Sequence, residues 1–117
     1  MDTFSITTPL TGEYFTTVRL TVGGVCALAG FDVDTTEDFK VCVTECLLIL
    51  NRNGFAAATI SLTLGKELAC EITGEQLKGD IIDTPENDIS LALLSALLGS
   101  VEFVNEGNRV VKINFKG

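Results

Sequence analysis

A helical pattern from about Thr35 to Arg52 constrains the chain more than any other stretch. Phe39, Val43, Cys46 and Leu50 step by four, three and four, which is one apolar face of a helix. From Cys46 to Leu50 every side is apolar, so the second half needs neighbours almost all round. Asp34 or Thr35 is placed to cap the N-terminus, and Glu37 and Asp38 suit the positive end of the helix dipole. Glu45 breaks the pattern, a single carboxylate inside the apolar run. Either it lies at the edge of the buried face and reaches solvent, or it needs a partner, a water-lined cleft or a raised pKa.

The remaining composition narrows what such a helix can belong to. At 117 residues the chain, 1–117, reads as a single domain large enough for a real core. A hydrophobic share of 46% with only two Pro argues against disorder. The net charge of −8 and a pI near 4.3 argue against nucleic acid or an anionic membrane surface as a partner. No apolar run approaches a membrane span, and the first residues lack the basic-then-apolar layout of a signal peptide. The expectation is a soluble, cytoplasmic protein.

The four cysteines, Cys26, Cys42, Cys46 and Cys70, form no Cys-x-x-Cys pair, and the chain has no His. A zinc site would need all four thiolates to converge from separate elements. Three of them sit in apolar helical patterns, where Cys acts as a small core residue. Free thiols in a reducing compartment, and no bound metal, are expected.

Before the central helix, Thr3 to Thr8 alternates Phe4 and Ile6 against Ser5 and Thr7, a half-exposed strand ended by Pro9. A helix over 13–29 follows, with Phe15, Val18, Val22, Val25 and Ala29 as its seam. Gly23-Gly24 inside it costs about 1 kcal/mol per glycine relative to Ala, which a close neighbour, internal or from a second subunit, could offset. Gly30 stops this helix.

After it, Asn51-Arg52-Asn53-Gly54 carries turn chemistry. Thr59 to Leu64 and Glu67 to Ile72 read as a hairpin around Gly65-Lys66. Gly74 to Asp83 reads as a polar loop. Asp83-Thr84-Pro85-Glu86 opens a helix over 86–98, with a cap, a proline in the first turn and an acid beside it. Val101 to Val104 and Arg109 to Phe115, joined through Glu106-Gly107-Asn108, close the chain as a second hairpin. The order is strand, helix, helix, strand, strand, helix, strand, strand. It predicts an α+β fold, a two-layer sandwich with three helices on one face of a mixed, mostly antiparallel sheet. There is no Gly-rich phosphate loop, no Ser-His or Cys-His pair and no metal constellation.

Three stretches together resemble a known family. Glu13-Tyr14-Phe15-Thr16-Thr17-Val18-Arg19-Leu20, then Gly30-Phe31, then Glu37 through Cys46 look like the bacterial anti-sigma factor serine kinases. Those proteins have the histidine-kinase-type (GHKL, or Bergerat) ATPase fold. The apolar helix running into a Val-Glu-Phe strand and final hairpin, Leu91 to Lys116, is similar to that family too. The resemblance implies sigma factors or STAS-type anti-anti-sigma proteins as partners, regulation of transcription, and homodimerisation. It matches Arg19 to a partner-facing Arg on the first helix, although a solvated or internally paired Arg is the plainer reading.

The departures from the family are as informative as the matches. Glu45 fits the family's catalytic Glu, but the Mg²⁺-ligating Asn four residues on is Ile49, which has no ligating atom. The Asp-x-Gly-x-Gly run that binds adenine corresponds to Glu71 through Gln76, in which Thr73-Gly74 keeps one glycine and no Asp. The Gly-x-Gly that cradles phosphates corresponds to Asp88-Ile89-Ser90. Between Gly74 and Gly99 the only base is Lys78, against Glu75, Asp80, Asp83, Glu86 and Asp88. Each like charge met by ATP costs on the order of 1 kcal/mol at short range in water. The loop is also short for a folding lid. The expectation is a degenerate protein-binding domain without ATP or Mg²⁺. The alternatives are an active kinase with an atypical site, using Glu45 as base, and a small-molecule sensor with an apolar pocket beside Glu45, Cys42 and Ile49.

Overall fold

A computed structural model describes residues 2–117 and gives the expected order of elements. Strand β1 (Thr3–Pro9) leads through a short 3-10 turn (Gly12–Tyr14) into α1 (Phe15–Leu28), then α2 (Val33–Arg52). Strands β2 (Phe55–Thr63) and β3 (Ala69–Leu77), helix α3 (Pro85–Leu97), and strands β4 (Val101–Glu106) and β5 (Arg109–Lys116) complete it. The five strands form one sheet in the order β1-β2-β3-β5-β4. Every pairing is antiparallel, so the sheet is not mixed. β2–β3 and β4–β5 are hairpins, the crossover through α1 and α2 sets β2 antiparallel beside β1, and the crossover through α3 leaves β5 between β3 and β4, which run the same way.

The two faces of the sheet differ in kind. Ala58, Ile60 and Leu62 of β2, Cys70 and Ile72 of β3, and Ile113 of β5 are buried and share one core with α1, α2 and Leu94 of α3. The other face is polar and open. There Thr3 and Thr63, Ser5 and Ser61, and Thr7 and Thr59 pair their hydroxyls at 3.0, 3.0 and 2.8 Å. Helices therefore cover one face only, as expected for two layers. Helix α2 lies against the sheet, with α1 and α3 packed on its flanks.

Helix ends are set by local chemistry. The cap of α2 is Asp32, whose Oδ1 accepts from the Thr35 amide at 2.8 Å, rather than Asp34 or Thr35. Starting there leaves Asp34 in the first turn beside the positive end of the dipole, so both acids are used. At the end of α1, Gly30 takes φ +81°, the Gly30 amide donates to Ala27 O, and the Phe31 amide donates to Cys26 O. That is a Schellman motif. Gly23 faces α2, where a Cβ would meet Lys40 Cε at 2.8 Å, whereas Gly24 faces open space. The internal neighbour exists at the first glycine only.

The strands of the first hairpin are displaced from the expected ones. β2 begins at Phe55, because the small residues Ala56–Ala58 conceal its start, and β3 continues to Leu77. Gly74 through Leu77, expected as loop, instead pairs with Phe55–Ala58. Its polar residues are those of an exposed strand face. The hairpin connection is longer than a Gly65-Lys66 turn. Leu68 leaves it to exchange two backbone hydrogen bonds with Gly117, at 2.9 and 3.0 Å.

Candidate functional site

Glu45 projects from α2 toward α3 and meets Ser90. The Ser90 hydroxyl donates to Glu45 Oε1 at 2.9 Å, and its oxygen accepts from Arg52 Nη1 at 2.8 Å. Ser90 is fully buried, while Glu45 and Arg52 are half-buried. The three form a relay in which one hydroxyl joins a carboxylate to a guanidinium. Both readings of Glu45 hold in part: it reaches the edge of the core, and it has a partner. Two of the expected vestigial positions, Glu45 and Ser90, are thus brought together.

The other positions disperse. Ile49, one turn beyond Glu45, is 1% exposed and presents no polar atom. Thr73 pairs with Thr59, so its side chain lies on the open sheet face, away from Glu45. Gly74 is on the helix-facing side, where a Cβ would fall 2.5 Å from the Phe55 ring, so packing alone accounts for the glycine. Asp88 is exposed on the first turn of α3. Arg19 is exposed on α1 and makes no ion pair among the described residues.

A second polar cluster lies at the C-terminal end of α2. Asn53 is buried there, donating from Nδ2 to Ile49 O at 2.8 Å and accepting at Oδ1 from the Val110 amide at 2.9 Å. Arg109 Nη1 donates to Asn53 O at 2.8 Å and Gly79 O at 3.1 Å. Gly54, at φ +95°, accepts from the amides of Lys78 and Gly79, and a side chain on it would run into the Gly79 carbonyl. Ile82 donates its amide to Arg52 O at 2.7 Å. The segment between β3 and α3 is therefore pinned to the end of α2 by backbone bonds. Turn chemistry at Asn51 to Gly54 was visible in the sequence, but Arg109 stands far along the chain and gave no signal.

Next to this cluster is a cavity of about 500 Å³ between α2, α3, the pinned segment and the β4–β5 hairpin. Ile49, Leu91, Phe103 and Val110 form its apolar wall. Of the three residues expected beside a pocket, Ile49 lines this cavity, and Glu45 and Cys42 do not. A shallower groove of about 920 Å³ crosses the sheet near Glu67, Glu71, Glu102 and Asn114.

All four cysteines are free and buried. Burial pushes the Cys42 thiol up to about 11, with the Asp38 and Glu45 carboxylates adding to it. Burial also raises Cys26, Cys46 and Cys70. Such thiols are poor nucleophiles and poor metal ligands. Among the described residues no group of three or more His, Cys, Asp or Glu could hold a metal ion. No helix there is long and apolar enough to cross a membrane. No protein-family model matches the chain, and no curated protein matches it.

Proposed function

We propose that this chain is a histidine-kinase-type (GHKL) ATPase-fold domain, akin to the anti-sigma factor serine kinases, that has lost its nucleotide chemistry and regulates by protein contact. Its partners on this reading are a sigma factor, a STAS-type anti-anti-sigma protein, or both, in the cytoplasm. Arg19, exposed on α1, is available as an ion-pair anchor for an acidic surface. A symmetric homodimer through the same helix belongs to the reading.

The observation that carries the loss of chemistry is the pairing of Glu45 with Ser90 at 2.9 Å beside a buried Ile49. A general base needs its carboxylate directed at a substrate proton, and here it accepts from a fully buried hydroxyl instead. Mg²⁺ would need oxygen ligands in an octahedral arrangement, and the turn after Glu45 offers an aliphatic side chain. The residues present do not fit Mg-ATP. The segment that would have to move over a nucleotide is tied to α2 through Gly54 and Arg52, and its side chains Asp80 and Asp83 are acidic.

Calorimetric titration of the full chain with ATP, with and without Mg²⁺, tests the reading. No binding is expected at millimolar nucleotide. A Mg²⁺-dependent dissociation constant in the micromolar range returns the protein to the active-kinase alternative. A second reading, a sensor of a small molecule, is favoured by the cavity beside Ile49, whose lining mixes apolar and polar side chains.

A further inference from the structure

We propose that the outer face of α3 is a docking surface for a basic amphipathic helix of a partner protein. The inference goes beyond the contact assigned to Arg19, since α1 and α3 take separate flanks of α2. It stands on the exposed side chains of α3, whatever the family of the chain.

From Ile89 to Ser100 the chain carries no charged residue, and seven of these twelve are Ile, Leu or Ala within α3 itself. A helix apolar all round is ordinarily buried all round. Here only Ser90 and Leu94 are buried, Ser90 against Glu45 and Arg52 of α2 and Leu94 one turn on in the shared core. Ile89, Ala92, Leu93 and Ala96 follow the i, i+3, i+4, i+7 spacing of a second stripe. All four are exposed, Ile89 by 59% and Leu93 by 38%. Single exposed apolar residues are ordinary, but a row along one helix face marks an interaction site. The two alanines, one turn apart, leave a shallow groove beside Ile89 and Leu93 that takes a ridge of a second helix.

Charge decides the chemistry of the cover. Between Gly79 and Asn108 lie six acids and no base, so this stretch holds −6 of the net −8. Glu86 and Asp88, both exposed, border the stripe on its two sides at the N-terminal end. Arg52 and Arg109 keep their charge, but both are half-buried and reach toward Ser90 and Asn53, on the α2 side of the helix. Even with these two and Lys78 counted in full, three of the six acids stay unmatched. A second copy would bring the same excess of acids to the contact, and an anionic membrane or a nucleic acid would be repelled as well. A helix with Lys or Arg along both borders of its apolar stripe answers the row and its acids together.

Titration of the ¹⁵N-labelled full chain with a helical Leu/Lys peptide, leucines on one face and lysines along both borders, tests this against its Glu-for-Lys twin. The Lys peptide is expected to shift the amide signals of Asp88 to Ala96 and to bind at least tenfold more tightly than the Glu peptide. Its affinity should fall several-fold as salt rises from about 0.05 to 0.5 M. Ala92→Lys, at an exposed position, should weaken the Lys peptide about tenfold with the fold intact. Glu86→Gln with Asp88→Asn should weaken it several-fold, whereas Asp38→Asn on α2 should leave it unchanged. If Ala92→Lys does not fold, Ile89→Ser reads the stripe in its place, with a similar loss expected. The proposal is overturned by equal or tighter binding of the Glu peptide, by shifts that fall on α1 or the open sheet face, or by no shift at millimolar peptide. Unchanged affinity in the stripe variant overturns it too, as does a dimer by light scattering that Ala92→Lys dissociates, which gives the face to a second copy. ATP calorimetry reads the proposed loss of nucleotide binding separately, so each idea can fail without the other.

Discussion

The Ser90 hydroxyl stands between Glu45 and Arg52, 2.9 Å from the carboxylate and 2.8 Å from the guanidinium, with no exposure to solvent. Its hydrogen satisfies the acid and its lone pair satisfies the base, so removing it leaves both half-buried groups short of a partner. Ser90→Ala is expected to destabilise the fold by about 1–3 kcal/mol in urea denaturation. Glu45→Gln keeps an acceptor oxygen and should cost less than Ser90→Ala. The reverse ranking would mean that the carboxylate's charge, not the hydroxyl, holds α2 and α3 together.

Ile49→Asn restores the ligating side chain that the kinase resemblance leads one to look for. It is expected to bring back no Mg-ATP binding in calorimetry, because Asp88 and the pinned segment remain. It should also lower stability by about 2–4 kcal/mol, since an aliphatic side chain is lost from the core and an amide must be buried. A Mg²⁺-dependent binding isotherm for this variant would show that one residue was the whole obstacle.

Gly24 faces open space on α1, so a methyl group there meets nothing and improves helix propensity. Gly24→Ala is expected to stabilise the domain by about 0.5–1 kcal/mol at any protein concentration. A loss of stability that grows on dilution, with a fall in mass by light scattering, would instead mark Gly24 as a contact between two copies.

Gln76 takes φ +56°, a left-handed conformation that costs a non-glycine residue about 1–2 kcal/mol. Replacing it by Gly removes that strain but adds unfolded-state freedom worth about 0.5–1 kcal/mol. The net expectation for Gln76→Gly is a gain of about 0.5 kcal/mol, read as a small rise in Tm. A drop would mean that the Gln76 side chain makes a stabilising contact of its own.

Asp32 caps α2, and the Thr35 amide holds its carboxyl below the usual Asp value of 3.8. A folded-state pKa below the unfolded one stabilises the fold above the unfolded value, and that stabilisation is lost as pH falls through the folded value. Asp32→Ala should therefore lower Tm at pH 7, and the gap from the wild type should close as the pH is taken below 3.8 and on through the lower folded-state value. A gap that stays constant with pH would assign the effect to something other than the ionised cap.

Apolar periodicity was enough to reveal the three helices, because Phe39, Val43, Cys46 and Leu50 can share a face only in a helix. Alternation located the parts of strands with one wet face, such as Thr3 to Thr8. It missed Gly74 to Leu77, where both the glycine and the polar residues imitate a loop, and where the pairing with Phe55 to Ala58 supplies the order. The Glu45–Ser90 contact was half legible, since both residues stood out singly. What joined them is the packing of α3 on α2, which no spacing within either helix encodes. The Asn53–Arg109 bond spans too much chain for any local pattern, and the cavity is a property of four elements meeting.

The burial of Cys26, Cys42, Cys46 and Cys70 in one core has a practical consequence. Thiols that react only as thiolates, and only in contact with solvent, are silent while the domain is closed. The pace at which an alkylating reagent consumes them then works as a clock for the opening of the fold. Cys26 and Cys46 sit on different helices and Cys70 on the sheet, so the order in which they are labelled tells whether the layers part together or peel away one at a time.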